Sequence, residues 1–349
     1  MNPERPPWLN ASWQRLVASA QNIPQSLMLI GPAGLGKFQL AFSLAKRLLC
    51  ESDWGPEPCG QCPSCHGIDS AAHPDIHLVT SDKYAADLEE PAATLASRYL
   101  NSSDRKSTSS RAGQQIGVDQ VRSLIERLGT HSGFGGERIA ILAPANSMNA
   151  NAANALLKIL EEPPGLCRFI LVCSNRSSLP ATIFSRVSPF DISTPDYQQG
   201  LGWLESQGVP AQDRATLLAL ANAAPLAAYR LYQQGWAEQL GEWQSQLSAL
   251  LSKRIDPVAM AANIGDGASD FLYWLERLLS DAVSLRFNRE GRGLLLNRDE
   301  FGRLVVAKLY SDEVWDMIRK LQVYRQRQQR VVDEQLFLEE SLIAIWQKI

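Results

Sequence analysis

Two stretches of this sequence have residue types and spacing that could do chemistry. Gly31-Pro32-Ala33-Gly34-Leu35-Gly36-Lys37 fits the pattern G-x-x-x-x-G-K. Glycines there let backbone N–H groups curl around phosphate oxygens, and the lysine reaches the terminal phosphates of a nucleotide such as ATP. Gly31, Gly34, Gly36 and Lys37 are therefore the candidate phosphate-binding residues. The next position should carry a Ser or Thr hydroxyl that holds Mg²⁺, but it is Phe38. A hydrolysing site also needs carboxylates at the end of a neighbouring strand. The candidate strand, Ile139–Leu142, runs instead into Ala143-Pro144-Ala145-Asn146. With both parts missing, hydrolysis is not expected. It stays open whether nucleotide occupies the loop, or whether the loop is empty or holds an adventitious anion.

The second stretch holds Cys50, Cys59, Cys62 and Cys65, spaced C-x₈-C-x₂-C-x₂-C. Four thiolates close a tetrahedral shell around Zn²⁺ and leave no open position, which makes such a site structural. Pro58, Gly60 and Pro63 suit the tight turns it needs. In a reducing compartment this crowding points to metal rather than to disulfides; the alternative is four free thiols. His66 and His73 are spare ligand candidates, whereas Cys167 and Cys173 flank an apolar run and read as core residues. A weaker feature is Arg319 to Arg330, which carries basic residues and no acid. It is either a contact to DNA backbone or a partner subunit, or a solvated helix face. No cluster of Ser, His and Asp suggests a hydrolase.

These residues need a scaffold to position them. Ser26–Ile30, Ile139–Leu142 and Phe169–Val172 are short apolar runs that read as buried strands. Between them, Gln39–Leu49, Val118–Leu128 and Asn151–Glu162 carry apolar residues at helical spacing, the last stopped by Pro163-Pro164-Gly165. Strand, helix and turn alternate, which predicts a parallel α/β domain over residues 1–192, with a zinc module at about 50–66. The serine-rich run 101–110 predicts a flexible insert over about 81–115. The remainder lacks a strand pattern and reads as a small helical domain, 193–241, followed by an all-helical domain, 242–349. The 349 residues are 45% apolar, ample for these cores. With 34 basic and 37 acidic residues the formal charge is −3, which argues against a protein that blankets DNA with positive charge. There is no long apolar run and no basic N-terminal leader, so a cytoplasmic chain with no membrane partner is expected.

Four motifs carry a resemblance to a known family. Asn154-Ala155-Leu156-Leu157-Lys158-Ile159-Leu160-Glu161-Glu162-Pro163-Pro164 resembles the "NALLKTLEEPP" segment of bacterial AAA+ clamp-loader subunits. Leu179-Pro180-Ala181-Thr182-Ile183-Phe184-Ser185-Arg186 resembles their "LPxTIxSRC" segment, with Val187 in place of the cysteine. Ile116 to Arg122 resembles "I-x-VDQVR", and the phosphate loop is the fourth. They occur in the family order, from residue 24 to about 195. The family's sensor arginine falls near Leu226, where there is none, although Arg230 is close.

The resemblance implies an AAA+ fold with a second helical lid domain and a collar domain that carries the oligomer contacts. It also supports a zinc module after the phosphate-loop helix. The missing catalytic parts match those members of the family that lack a working ATP site. Such a subunit would sit in a hetero-oligomeric ring with the gamma/tau ATPase subunits and a delta subunit of DNA polymerase III. The ring opens a sliding clamp and places it on primed-template DNA. The resemblance gives Arg186 the role of an arginine finger, a fixed guanidinium beside the γ-phosphate held by the neighbouring subunit; the alternative is an ordinary surface ion pair. Two rivals remain: a clamp-loader ATPase with its own turnover, and an AAA+-like DNA-binding module that acts outside the loader.

Overall fold

The computed structural model describes residues 5–18, 23–52, 55–100, 112–129, 133, 136–176, 179–286, 296, 300–309, 312–327 and 333–348. It divides into two compact units, Met1–Thr194 and Pro195–Ile349.

The first unit contains β1 (Ser26–Ile30), β2 (Ile76–Val79), β3 (Arg138–Leu142), β4 (Cys167–Cys173) and β5 (Ser188–Asp191). Its helices are α1 (Asn10–Ala18), α2 (Lys37–Leu49), α3 (Pro63–Asp69), α4 (Asp82–Ala85), α5 (Ala92–Ser97), α6 (Val118–Leu128), α7 (Ala150–Glu161) and α8 (Ala181–Phe184). The strands form one parallel sheet in the order β2-β3-β4-β1-β5. The chain leaves β1 for the far edge, walks back through β2, β3 and β4, and crosses β1 to reach β5. In β1, β2 and β3 every residue is buried, as expected of a parallel sheet covered on both faces. The sequence pattern revealed three of the five strands. In β2, His77 interrupts the apolar run; in β5, Ser188-Pro189-Phe190-Asp191 has no run at all. Both sit at the ends of the sheet, where Pro is tolerated.

Two motif helices show how their residues work. Asn149 caps α7 by accepting the Ala152 N–H at 2.8 Å, and Ala152, Ala153, Leu156, Ile159 and Leu160 form its buried face. Gln120 of α6 reaches back to accept the Gly117 N–H at 2.8 Å. Its amide also donates to the Thr80 carbonyl at 2.9 Å, pinning α6 to the end of β2.

Two expectations need correction. The stretch 81–115 is not a loop throughout: α4 and α5 lie in it, and Leu95 and Tyr99 are buried. The serine-rich run itself lies outside the described residues. The expected boundary at 241/242 falls inside one helix of the second unit. That unit comprises α9 (Tyr197–Ser206), α10 (Ala211–Leu220), α11 (Pro225–Gln233), α12 (Trp236–Leu251), α13 (Pro257–Ile264), α14 (Ala268–Arg286), α15 (Glu300–Lys308), α16 (Asp312–Arg327) and α17 (Glu334–Trp346). One apolar cluster runs from Leu204 to Ile345 across both expected domains. Its centre is aromatic: Trp243 lies 5.7 Å from Phe271 and 5.8 Å from Trp274. Tyr273 of α14 donates to the Leu220 carbonyl of α10 at 2.8 Å. The first expected boundary, 192/193, lies beside the division at 194/195. No helix among the described residues is long and apolar enough to cross a membrane.

Candidate functional site

The phosphate loop lies at the carboxyl end of β1, where the strand order reverses and where open parallel sheets place their ligands. Gly34 and Gly36 have φ of 80° and 84°, a region that favours glycine. A side chain at Gly31 would meet the Ile192 carbonyl oxygen at 2.6 Å. The left-handed backbone at Gly34 and Gly36 gives the loop its tight curl. Lys37 is buried, and its ammonium donates to the Pro32 carbonyl of its own loop at 2.6 Å. Burial lowers its pKa to about 8, against a smaller opposing effect of Cys173. Phe38 is buried too, its ring 6.0 Å from Phe42 and 6.2 Å from Tyr84, which it meets edge-on. An apolar cluster fills the position from which a hydroxyl would reach Mg²⁺. Ala143 at the end of β3 is fully buried, and Ala143 to Asn149 include no carboxylate. Trp8 donates to the Leu35 carbonyl at 2.9 Å, so the N-terminal segment lies against the loop.

The four cysteines come together. Their sulfurs all lie within 4.8 Å of one another. The pairs Cys59–Cys65 and Cys50–Cys62 are 4.0 and 3.9 Å apart. A tetrahedron with Zn–S bonds of about 2.3 Å has edges of about 3.8 Å, so the donors fit Zn²⁺ in number, type and spacing. Gly60 turns the chain at φ 69°. Cys62 caps α3 by accepting the Cys65 N–H, and Pro63 opens the helix. Further backbone N–H groups point at sulfur from Cys59, Gln61 and Cys62. Burial opposes ionisation of Cys50, but hydrogen bonds from Cys59 and Ser52 outweigh it and bring its pKa to about 6. The N–H groups of Gln61 and Cys62 lower that of Cys59. Burial pushes the Cys65 thiol up.

Neither spare histidine joins the cluster of four sulfurs. His73 accepts the Asp75 N–H at Nδ1, and its Nε2 faces Ser64 Oγ at 3.3 Å. Ser64 in turn donates to Glu51 at 2.8 Å. Cys167 and Cys173 are buried at opposite ends of β4. Three contacts that sequence reasoning missed tie the cysteine loop down. Trp13 donates to the Pro56 carbonyl at 3.0 Å, Arg47 to that of Gly55 at 2.7 Å, and Arg5 pairs with Glu57 at 2.7 Å. These partners lie 8 to 52 residues apart, and no spacing rule connects them.

Arg186 lies in the turn between α8 and β5, with about a third of its side chain exposed (32%). Its Nη1 donates to the Thr182 carbonyl at 2.8 Å and to Ser185 Oγ at 2.9 Å. Its Nε donates to Glu161 Oε1 at 2.6 Å, and Nη2 donates to the same oxygen. Of the basic stretch on α16, Arg319 pairs with Asp316 at 2.9 Å; Arg330 and the side chains of Arg325 and Arg327 lie outside the described residues.

Residues 9–196 match the family described as "DNA polymerase III, delta subunit". The chain is 33% identical to the DNA polymerase III subunit delta' of Pseudomonas aeruginosa, over 74% of this chain and 71% of that one. It is 32% identical to the delta' subunit of Yersinia pestis, over 84% and 80%. The chain belongs to the DNA polymerase III delta-prime family. The delta' subunit of Escherichia coli is similar as well, at 29% identity over 79% of this chain and 75% of that one. The family match spans the phosphate loop, the cysteine cluster and Arg186 alike. Those three features thus sit in the unit that carries the likeness.

Proposed function

We propose that this chain is the non-hydrolysing delta-prime, or stator, subunit of a clamp loader. In this reading it joins gamma/tau ATPase subunits and a delta subunit in a ring that loads the sliding clamp onto primed-template DNA. Its AAA+ domain presents Arg186 to the ATP held by the neighbouring motor subunit, where the guanidinium offsets charge that develops on the transferring phosphoryl group. The helical unit that follows the AAA+ domain, Pro195–Ile349, carries the oligomer contacts. Zn²⁺, held by Cys50, Cys59, Cys62 and Cys65, is structural, and the complex works in the cytoplasm.

One contrast supports this reading above the others. Within one α/β unit, Lys37 is turned onto its own loop beside a buried Phe38, while Arg186 is partly exposed on a surface turn. The Lys37 ammonium is engaged by its own loop, whereas Arg186 keeps about a third of its side chain at the surface.

The test is ATP hydrolysis by the reconstituted loader, stimulated by clamp and primed DNA, with this chain or its Arg186→Ala form. Gel filtration checks that the ring assembles. We expect turnover to fall by about 10²-fold or more with the ring intact. Unchanged turnover would leave the chain a scaffold alone. Hydrolysis by the isolated wild-type chain would favour the ATPase rival.

A further inference from the structure

The guanidinium of Arg186 has five N–H donors, and four contacts occupy four of them. Both Nη1 donors go to its own turn, at Thr182 and Ser185; the Nε donor and one Nη2 donor go to Glu161. That leaves one N–H, on Nη2. Thr182 and Ser185 belong to the same short segment as Arg186. The Glu161 contact is different. It comes from the end of α7, 25 residues away, and it bridges the Nε and Nη2 edge. A planar fork held on two edges cannot rotate about its last side-chain bonds, so the direction of the remaining N–H is set by Glu161.

We infer that Glu161 is the positioning residue for Arg186. It fixes the guanidinium plane so that a single Nη2 donor is offered to an oxyanion on the adjoining subunit. The inference rests on the arginine-finger reading and deepens it. Its physical basis is pre-organisation: a charge that is already aimed need not be ordered when the transition state forms. Glu161 is itself well placed for this. It is the last residue of α7, and the helix ahead of it is anchored by five buried side chains and the Asn149 cap. Pro163 and Pro164 follow and stop the helix there. Both partners are partly exposed, at 32% and 49%, so the pair adds little to stability. Its effect should appear in turnover rather than in folding.

The experiment compares Glu161→Ala, Glu161→Gln, Arg186→Ala and the double variant Glu161→Ala/Arg186→Ala in the full reconstituted loader, with assembly checked by gel filtration. Glu161→Ala should lower kcat by about tenfold with KM for ATP little changed. Glu161→Gln keeps an oxygen that accepts from Nε and should recover most of that loss. The double variant should be no slower than Arg186→Ala, because Glu161 acts only through the arginine. If Arg186→Ala itself leaves turnover unchanged, the finger reading fails and this inference falls with it. If Arg186→Ala is slow but Glu161→Ala turns over like the wild type, the finger stands and Glu161 is not its positioner. Glu161 is equally ruled out as the positioner if the two losses multiply in full in the double variant. A Glu161→Ala chain that no longer joins the ring would assign Glu161 to assembly, unless Glu161→Gln assembles and is as fast as the wild type.

Discussion

At the residue scale, single side chains decide what the phosphate loop can do. Phe38 replaces a metal-holding hydroxyl with a ring packed on Phe42 and Tyr84. Phe38→Thr restores the hydroxyl but not the carboxylates missing after β3. We expect the isolated variant to show no ATP hydrolysis and to lose about 2–4 kcal/mol of stability, read by urea unfolding. Turnover by that variant would mean that one hydroxyl was all the loop lacked. A second residue sets a pH dependence. His77 is buried in β2, its Nδ1 2.6 Å from the Tyr99 hydroxyl. Burial first, then the positive charges of Arg98 and Arg127, lower its pKa to about 4; Asp75 opposes this and Arg138 adds to it. The unfolded chain therefore takes up this proton first as pH falls. The stability that neutral His77 protects is fully present above about pH 6.5 and is lost between about 6.5 and 4, amounting to about 3 kcal/mol. Unfolding titrations across that window should show the fall, and His77→Phe should flatten it. An unchanged slope in that variant would assign the dependence to other groups.

At the element scale, the cysteine loop is a clasp. It leaves α2 at Cys50, returns through α3, and is hooked by Trp13 of α1 and Arg47 of α2. Without metal, no covalent bond joins the four sulfurs to one another, and the hooks at Pro56, Gly55 and Glu57 would loosen. Stripping the metal with a strong chelator should release about one Zn²⁺ per chain and lower Tm by about 5 °C or more. Cys65→Ser, which removes the one buried ligand, should do the same without chelator. Metal analysis and a thermal melt read both outcomes. A chain that purifies without metal and melts at the same temperature after chelation would count against the clasp.

At the scale of the whole molecule, two cores carry the chain. The first is a parallel sheet sandwiched by helices, and the second is one helical cluster centred on Trp243, Phe271 and Trp274. The sequence by itself determined the phosphate-loop pattern, the cysteine spacing, three of the five strands and the motif that contains Arg186. All of these are local: a turn needs particular residues at particular offsets, and a buried strand or helix imposes its own period on apolar residues. The tertiary structure alone decided the rest. It added β2 and β5, whose short and broken patterns are specified by the strands beside them. It merged the two expected helical domains, because a continuous helix and shared aromatic contacts leave no seam at 241/242. It turned Lys37 onto Pro32, packed Phe38 against Tyr84 and set Glu161 against Arg186. The last two of these pairs are long-range and depend on how far apart the fold places their elements, which is a property of packing that no local pattern records.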